Sequence, residues 1–131
     1  MLYRKYKKED APEIIRIILL EGDDWKDYSA PDRVDHYISA LEKSITYVAE
    51  DKGEICGFSR SVFDNALTIM VMDLLVTPKY RGNKIGIQLM KCIYDDHPDI
   101  RVFVTTDIDE YYLKGGCIKA GSCFEVPKRH P

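Results

Sequence analysis

Hydrophobic and polar positions change period several times along the chain. Leu2 to Tyr6 alternates apolar and charged residues, which predicts a short edge strand. Asp10-Ala11-Pro12-Glu13 reads as a capping box with proline in the first turn, and Ile14, Ile17 and Ile18 follow at helical spacing until Gly22 ends the run. Ser29-Ala30-Pro31-Asp32 predicts a second helix start, with Val34, Tyr37, Ile38 and Leu41 behind it. Period two then returns. Ser44 to Glu50 and Glu54 to Phe63 are β-rich runs joined by the hairpin signal Asp51-Lys52-Gly53. After a turn at Asp64-Asn65-Ala66, Leu67 to Thr77 is apolar at both parities, with Ile69, Val71 and Leu75 on one face and Met70, Met72, Leu74 and Val76 on the other. That pattern predicts a central strand covered on each side. Ile85 to Asp95 predicts a helix with Leu89, Met90 and Ile93 inward, ending before Pro98, and Ile100 to Thr105 a further strand. Asp107 to Glu110 reads as another capping box, opening a short helix that stops at Gly115-Gly116; Cys117 to Val126 predicts a last strand ahead of a polar, proline-closed tail. The expected fold class is α/β, a mixed and largely antiparallel central sheet with helices on both faces, in one domain spanning residues 1–131.

Composition narrows the function classes. Apolar residues make up 45% and charged residues 31% of the chain, too apolar for a disordered segment and ordinary for a globular protein. The run Ile14 to Leu20 is broken by Arg16, so it predicts neither a membrane span nor a secretory core, and the expected location is cytoplasmic, with no membrane partner. Cys56, Cys92, Cys117 and Cys123 show no C-x-x-C spacing, and His36, His97 and His130 lie far apart, so no metal site is expected. A formal net charge of −3 argues against a nucleic-acid partner. Charge placement says more than the total: Lys79, Arg81, Lys84 and Lys91 fall in one segment that contains no acidic residue. An acidic chain with one cationic stretch points to an anionic ligand held locally.

That stretch follows the central strand. A helix start leaves about four backbone N–H groups without partners, and these together with the helix dipole can hold a diphosphate. Gly82 and Gly86 flank the expected start; a glycine inside a helix costs about 1 kcal/mol relative to alanine, so Gly86 needs a reason. The plainer reading is a helix cap with a solvated basic face. A nucleotide triphosphate is disfavoured because G-x-x-x-x-G-K-[ST] is absent.

The run Arg81-Gly82-Asn83-Lys84-Ile85-Gly86, preceded by Leu74-Leu75-Val76-x-Pro78-x-Tyr80, resembles the Q/R-x-x-G-x-G/A signature of the GNAT superfamily of N-acetyltransferases. Tyr111-Tyr112-Leu113-Lys114-Gly115-Gly116-Cys117 resembles that family's F-Y-x-x-x-G-F segment, and the element order matches from Met1 to about Val126. Lys84 stands where the pattern has its middle glycine, so a phosphate there either meets a side chain or gains a charge-assisted contact from it, the second being the favoured expectation. The family usually adds a seventh strand, and none is clear here; an edge left there could pair with a second subunit, so monomer and homodimer both stay open.

The resemblance implies acetyl-CoA as cofactor, held by Leu74, Leu75, Val76, Arg81, Gly82, Asn83, Lys84, Ile85, Gly86, Ile87 and Tyr111. It also implies direct transfer of an acetyl group to a primary amine of a small molecule or peptide. Tyr112 aligns with the family tyrosine that protonates the leaving thiolate, with Tyr111 as the other candidate. An amine of pKa about 10.4 needs about 4–5 kcal/mol to lose its proton at pH 7, so a base would help. Some family members have a glutamate where Met70 stands, which leaves Asp73, the one carboxylate interrupting the apolar run, as the candidate base. The plainer role for Asp73 is a hydrogen bond to nearby backbone or to a bulge. The family supplies an oxyanion donor from the backbone N–H at Val76. Glu21 to Tyr28, rich in carboxylates around Trp25 and Tyr28, is the candidate cover of the acceptor cleft. Two rivals remain: an acyl-CoA-binding or sensing module without turnover, and an interaction domain using the acidic loop or an unpaired edge.

Overall fold

The computed structural model describes residues 1–128, so His130 and the end of the proline-closed tail lie outside the described residues. Strands β1 (Leu2–Lys5), β2 (Ile45–Asp51), β3 (Glu54–Phe63), β4 (Thr68–Val76) and β5 (Arg101–Val104) form one sheet in sequential order. The first four are antiparallel neighbours and β5 joins β4 in parallel. Helices α1 (Ala11–Glu21), α2 (Lys26–Ser29) and α3 (Val34–Lys43) precede β2, α4 (Ile85–Asp96) links β4 to β5, and α5 (Asp109–Lys114) follows β5.

The period changes place each helix. The α1 stripe of Ile14, Ile17 and Ile18 packs with Tyr37 and Leu41 of α3 against Val48, Phe58 and Leu75 on one sheet face. On the other face Ile85, Leu89 and Ile93 of α4 lie over Tyr47, Ile69 and Val71. Each such side chain, fully buried, contributes about 1.5–3 kcal/mol. Turn chemistry agrees with the local residues. Lys52 and Gly53 take φ of 53° and 82° in the β2–β3 hairpin. Asp64 Oδ1 accepts from the N–H groups of Ala66, Leu67 and Thr68 at 2.8, 2.9 and 3.1 Å, closing the β3–β4 turn.

Four expectations need correction. Asp10 does not cap α1: it accepts from the Lys7 N–H at 2.7 Å and pairs with Arg4 at 2.8 Å, while Glu13 accepts from the Ile55 N–H at 3.2 Å. α3 begins at Val34 rather than near Ser29, which instead closes α2. The box at Asp107 is likewise absent, because α5 starts only at Asp109 with Ile108 at its N-cap; the Ile108 N–H donates to the Thr106 hydroxyl at 2.8 Å. Cys117 to Val126 forms no strand; beyond the Cys117 N–H, which donates to the Tyr112 carbonyl at 2.9 Å, this extended segment pairs with none of the described strands.

The central strand differs too. Arg60 of β3 opposes Asp73, but the next residue, Ser61, opposes Val71, so Met72 is an extra residue bulged out of the ladder. Parity therefore flips within β4: Ile69 and Val71 face α4, whereas Asp73 and Leu75 face α1 and α3, and Met72 is exposed.

Candidate functional site

The bulge opens the sheet. β5 pairs with Thr68 to Val71 only, so β4 loses its outer neighbour where Met72 leaves the ladder. The Thr77 N–H donates to the Cys56 carbonyl at 2.9 Å, and by the alternation of an antiparallel ladder Leu75 also turns its backbone toward β3. Leu74 and Val76 then present N–H and C=O groups to the open side.

The chain next turns through Pro78–Tyr80 into α4, and side chains brace this turn from three directions. The Tyr80 hydroxyl donates to Asp51 at 2.7 Å, which with burial pushes the phenol up to about 12. Arg81 Nε donates to the Val76 carbonyl at 2.9 Å while its other nitrogen pairs with Glu21 at the end of α1. Asn83 Nδ2 donates to the Tyr80 carbonyl at 3.0 Å. Gly82 and Lys84 both adopt left-handed backbone, φ 84° and 62°, and Lys84 is the N-cap of α4 without a side-chain capping bond. Among the described residues no acceptor serves the N–H groups from Gly82 to Ile87; the first bond of the helix runs from Gln88 to the Lys84 carbonyl at 3.1 Å. Alternating backbone hands followed by a free helix N-terminus make an anion cradle.

α5 closes one side of it. A Cβ on Gly86 would collide with Tyr111 Oη and lie 3.4 Å from a Leu74 methyl; one on Gly115 would collide with Ile87. The bareness of Gly86 thus admits Tyr111, a close approach of side chain to helix. Leu74, Gly86, Ile87 and Tyr111 meet at one point. Tyr112 stacks edge-on to Tyr111 with centroids 5.0 Å apart. Burial, then the neighbouring Tyr111, pushes the Tyr112 phenol up to about 12, which keeps it a proton donor at neutral pH.

Asp73 is held apart from this group, on the other face. Its Oδ2 accepts from Arg60 Nε at 2.5 Å and from the Tyr37 hydroxyl at 2.9 Å, and Arg60 reaches on to Ser44 Oγ at 3.3 Å. Burial, then the Asp73 charge, pushes the Tyr37 phenol well above its usual value. Trp25 and Tyr28 are not a free flap: Trp25 packs edge-on against Phe58 at 6.2 Å, and Tyr28 stacks on Tyr37 at 5.0 Å. Beside them lies an open cavity of about 470 Å³ lined by Asp27, Tyr28, Asp32, Arg33, His36 and Tyr37. Sequence reasoning missed Arg60 and Tyr37 as partners of Asp73. Their facing positions depend on strand register and on the Met72 bulge, and only the odd placement of a cation in the β3 run hinted at either.

A family model described as an acetyltransferase (GNAT) domain matches residues 42–116, more than half of the chain. A search of curated protein sequences returns no match. Among solved structures, the chain resembles the GNAT family acetyltransferase SP0256 from Streptococcus pneumoniae TIGR4, with a TM-score of 0.75 and 19% identity over 98% of each chain. It also resembles an aminoglycoside acetyltransferase, HMB0005, from an uncultured soil metagenomic sample, with a TM-score of 0.73 and 19% identity over 98% of each chain. A third is AAC(6')-Iy, solved with a bisubstrate analogue, CoA-S-monomethyl-acetylneamine; its TM-score is 0.74, with 13% identity over 98% of each chain. At these identities the likeness concerns the fold.

Proposed function

Because the chain belongs to the GNAT acetyltransferase family, we propose that it transfers an acetyl group from acetyl-CoA to a primary amine of a small molecule or peptide. One observation carries the reading: the row of unpartnered amides from Gly82 to Ile87 meets the open half of β4 and the tyrosines of α5 at a single corner. These residues suit the cofactor. The amide row and Arg81 bind a diphosphate, Lys84 adds a cation at the helix start, and Leu74 and Val76 offer backbone pairing to an extended amide chain. Bound acetyl-CoA supplies the activated acetyl group.

The chain's own residues would manage the protons. The Tyr112 hydroxyl, a phenol at about 12, donates to a developing thiolate, and the Val76 N–H stabilises charge on the acyl oxygen. Asp73 is the candidate acceptor of the amine proton. It faces the α1 and α3 side, where the cavity at Asp27, Asp32, Tyr28 and Tyr37 offers carboxylates and aromatic rings to a small cationic amine. The gap between β4 and β5 would then join the cofactor layer to the acceptor layer.

The second reading, binding or sensing of acyl-CoA without turnover, draws on one fact: Asp73 is already bonded to Arg60 and Tyr37, and Met70 offers no base in its stead. Calorimetric titration with acetyl-CoA, followed by thiol release over a panel of polyamines, aminoglycosides and lysine peptides, separates the two. Turnover that falls about 10²-fold in Tyr112→Phe with cofactor affinity unchanged supports the enzyme. Saturable binding with no thiol release from any amine leaves the binding module, and failure to bind acetyl-CoA removes both.

A further inference from the structure

The cavity beside α2 and α3 carries both signs of charge. At about 470 Å³ it falls in the size range of small-molecule sites, about 300–1,000 Å³. Asp27 of α2 and Asp32 of the turn that follows line it together with Arg33, the N-cap of α3, and His36 in the first turn of that helix. All four are exposed, and no ion pair among the described residues uses Asp27, Asp32 or Arg33, although they line one opening. The ring of His36 keeps an N–H donor in either protonation state, and the start of α3 adds the positive end of a helix dipole on the side of Arg33. An acceptor that was only a cation would find the two carboxylates and meet like charge at the guanidinium. A zwitterion matches both.

The inner wall of the cavity leads to Asp73. Tyr28 and Tyr37 line it with ring centroids 5.0 Å apart, and the buried Tyr37 donates its hydroxyl to Asp73 at 2.9 Å. Burial, then the Asp73 charge, pushes the Tyr28 phenol up, which puts the same carboxylate near both rings. Two aromatic rings ahead of a carboxylate suit an aliphatic chain that ends in an amine. The charged rim and the aromatic wall therefore ask for different ends of one molecule.

We propose, on the strength of the transferase reading above, that the acceptor is a free diamino acid: Arg33 and His36 hold its α-carboxylate, Asp27 and Asp32 its α-ammonium, and its side-chain amine passes Tyr28 and Tyr37 toward Asp73. The neutral side-chain amine attacks the acetyl carbonyl carbon. A C–N bond forms, the C–S bond to the cofactor breaks, the nitrogen's surplus proton passes to Asp73, and the departing thiolate takes the proton of Tyr112. A lysine within a peptide presents neither charge of the head, so the rim selects the free amino acid.

Thiol release from acetyl-CoA by the full chain, compared over lysine, cadaverine, 6-aminohexanoate and Nα-acetyl-lysine amide, tests the assignment. The four share one terminal amine and differ in the charges at the other end; ornithine, putrescine and 5-aminopentanoate repeat the comparison one carbon shorter. The expected kcat/KM for the diamino acid of one series is at least about tenfold above that of its counterparts, the difference lies in KM, and NMR of the product shows acetylation at the side-chain nitrogen. Arg33→Gln should lower kcat/KM about five- to tenfold for lysine and 6-aminohexanoate yet raise it for cadaverine, whose distal ammonium the guanidinium repels; Arg33→Lys keeps most of the preference. Asp27→Asn combined with Asp32→Asn should do the reverse, lowering cadaverine and raising 6-aminohexanoate. Opposite signs within one variant do not arise from a damaged fold. Plain diamines or the capped lysine used as well as the diamino acids, acetylation at the α-nitrogen, turnover confined to amines outside both series, or variants that lower every acceptor alike would overturn this inference and leave the transferase standing. Saturable acetyl-CoA binding with no thiol release from any amine would overturn both.

Discussion

Lys84 carries opposing demands at one position. It occupies the left-handed region at φ 62°, where a residue with a Cβ is strained by about 1–3 kcal/mol, and it caps α4 without a side-chain bond. Glycine would remove that strain, but would also remove the ammonium from the mouth of the amide row. Lys84→Gly should therefore raise stability by about 1 kcal/mol in urea unfolding while weakening acetyl-CoA binding up to about tenfold and flattening its salt dependence. Lys84→Ala should weaken binding similarly without the gain in stability. Tighter binding by Lys84→Gly would mean that the ammonium obstructs the cradle. A similar tension holds at Arg81, which is paired with Glu21 before any phosphate arrives. Glu21→Gln removes a negative charge from beside an anion site, so acetyl-CoA affinity should rise by a few-fold, most visibly at low salt; a fall would show that Glu21 is needed to aim the guanidinium.

At the scale of elements, the bulge at Met72 and the cluster behind it decide how the layers meet. Arg60 and Asp73, opposed across β3 and β4 with side chains 14% and 3% exposed, are joined by Tyr37 of α3. Removing one partner of a buried pair leaves the other charge stranded, so Asp73→Asn should cost about 3–5 kcal/mol in denaturant unfolding, against about 1 kcal/mol for Tyr37→Phe. If Asp73 also accepts the amine proton, kcat of folded Asp73→Asn protein falls well below that of Tyr37→Phe; equal rates would make the carboxylate structural. The helices and β-runs behind this arrangement were legible because a period of three to four residues or of two survives in the side chains whatever they pack against. The cationic turn was legible for a related reason: Gly82 and Lys84 act through local backbone shape, whereas the reason for Gly86, the close approach of Tyr111, is a tertiary contact that spacing does not show. The bulge was not. A one-residue insertion in a strand that is apolar at both parities leaves no mark on the pattern, and so the partners of Asp73 could not be named. The capping box failed at Asp10 because Arg4, six residues earlier, and the Lys7 N–H offered competing partners that spacing alone does not rank, and it failed at Asp107 because the helix starts two residues later.

Across the whole molecule, buried phenols tie the layers together and give folding a pH dependence of definite sign. Tyr37 bonds Asp73 on one face of the sheet; Tyr47 bonds Asp96 of α4 on the other; the half-buried Tyr112 packs edge-on against Tyr111 on α5. Burial raises all three phenols above the ordinary value of 10.0, Tyr112 to about 12 and the other two further. A group with a raised folded-state pKa keeps its proton longer in the folded chain than in the unfolded one. Its contribution is complete below pH 10 and is lost as pH rises toward the folded value, because only the unfolded chain gains from releasing the proton in that interval. Stability measured by urea unfolding should therefore hold level up to about pH 10 and fall above it, the share of Tyr112 being lost by about pH 12 and those of Tyr37 and Tyr47 continuing beyond it. Asp10 works in the opposite direction: Arg4 holds its carboxyl below the ordinary 3.8, so its contribution is present above that value and disappears as pH drops below it. Tyr37→Phe combined with Tyr47→Phe should make the alkaline fall shallower, leaving the share of Tyr112, while the acid side stays as it was. An alkaline limb that begins below pH 9, or that survives unchanged in the double variant, would place the sensitive groups elsewhere and would detach the sheet's two faces from the phenols that clasp them.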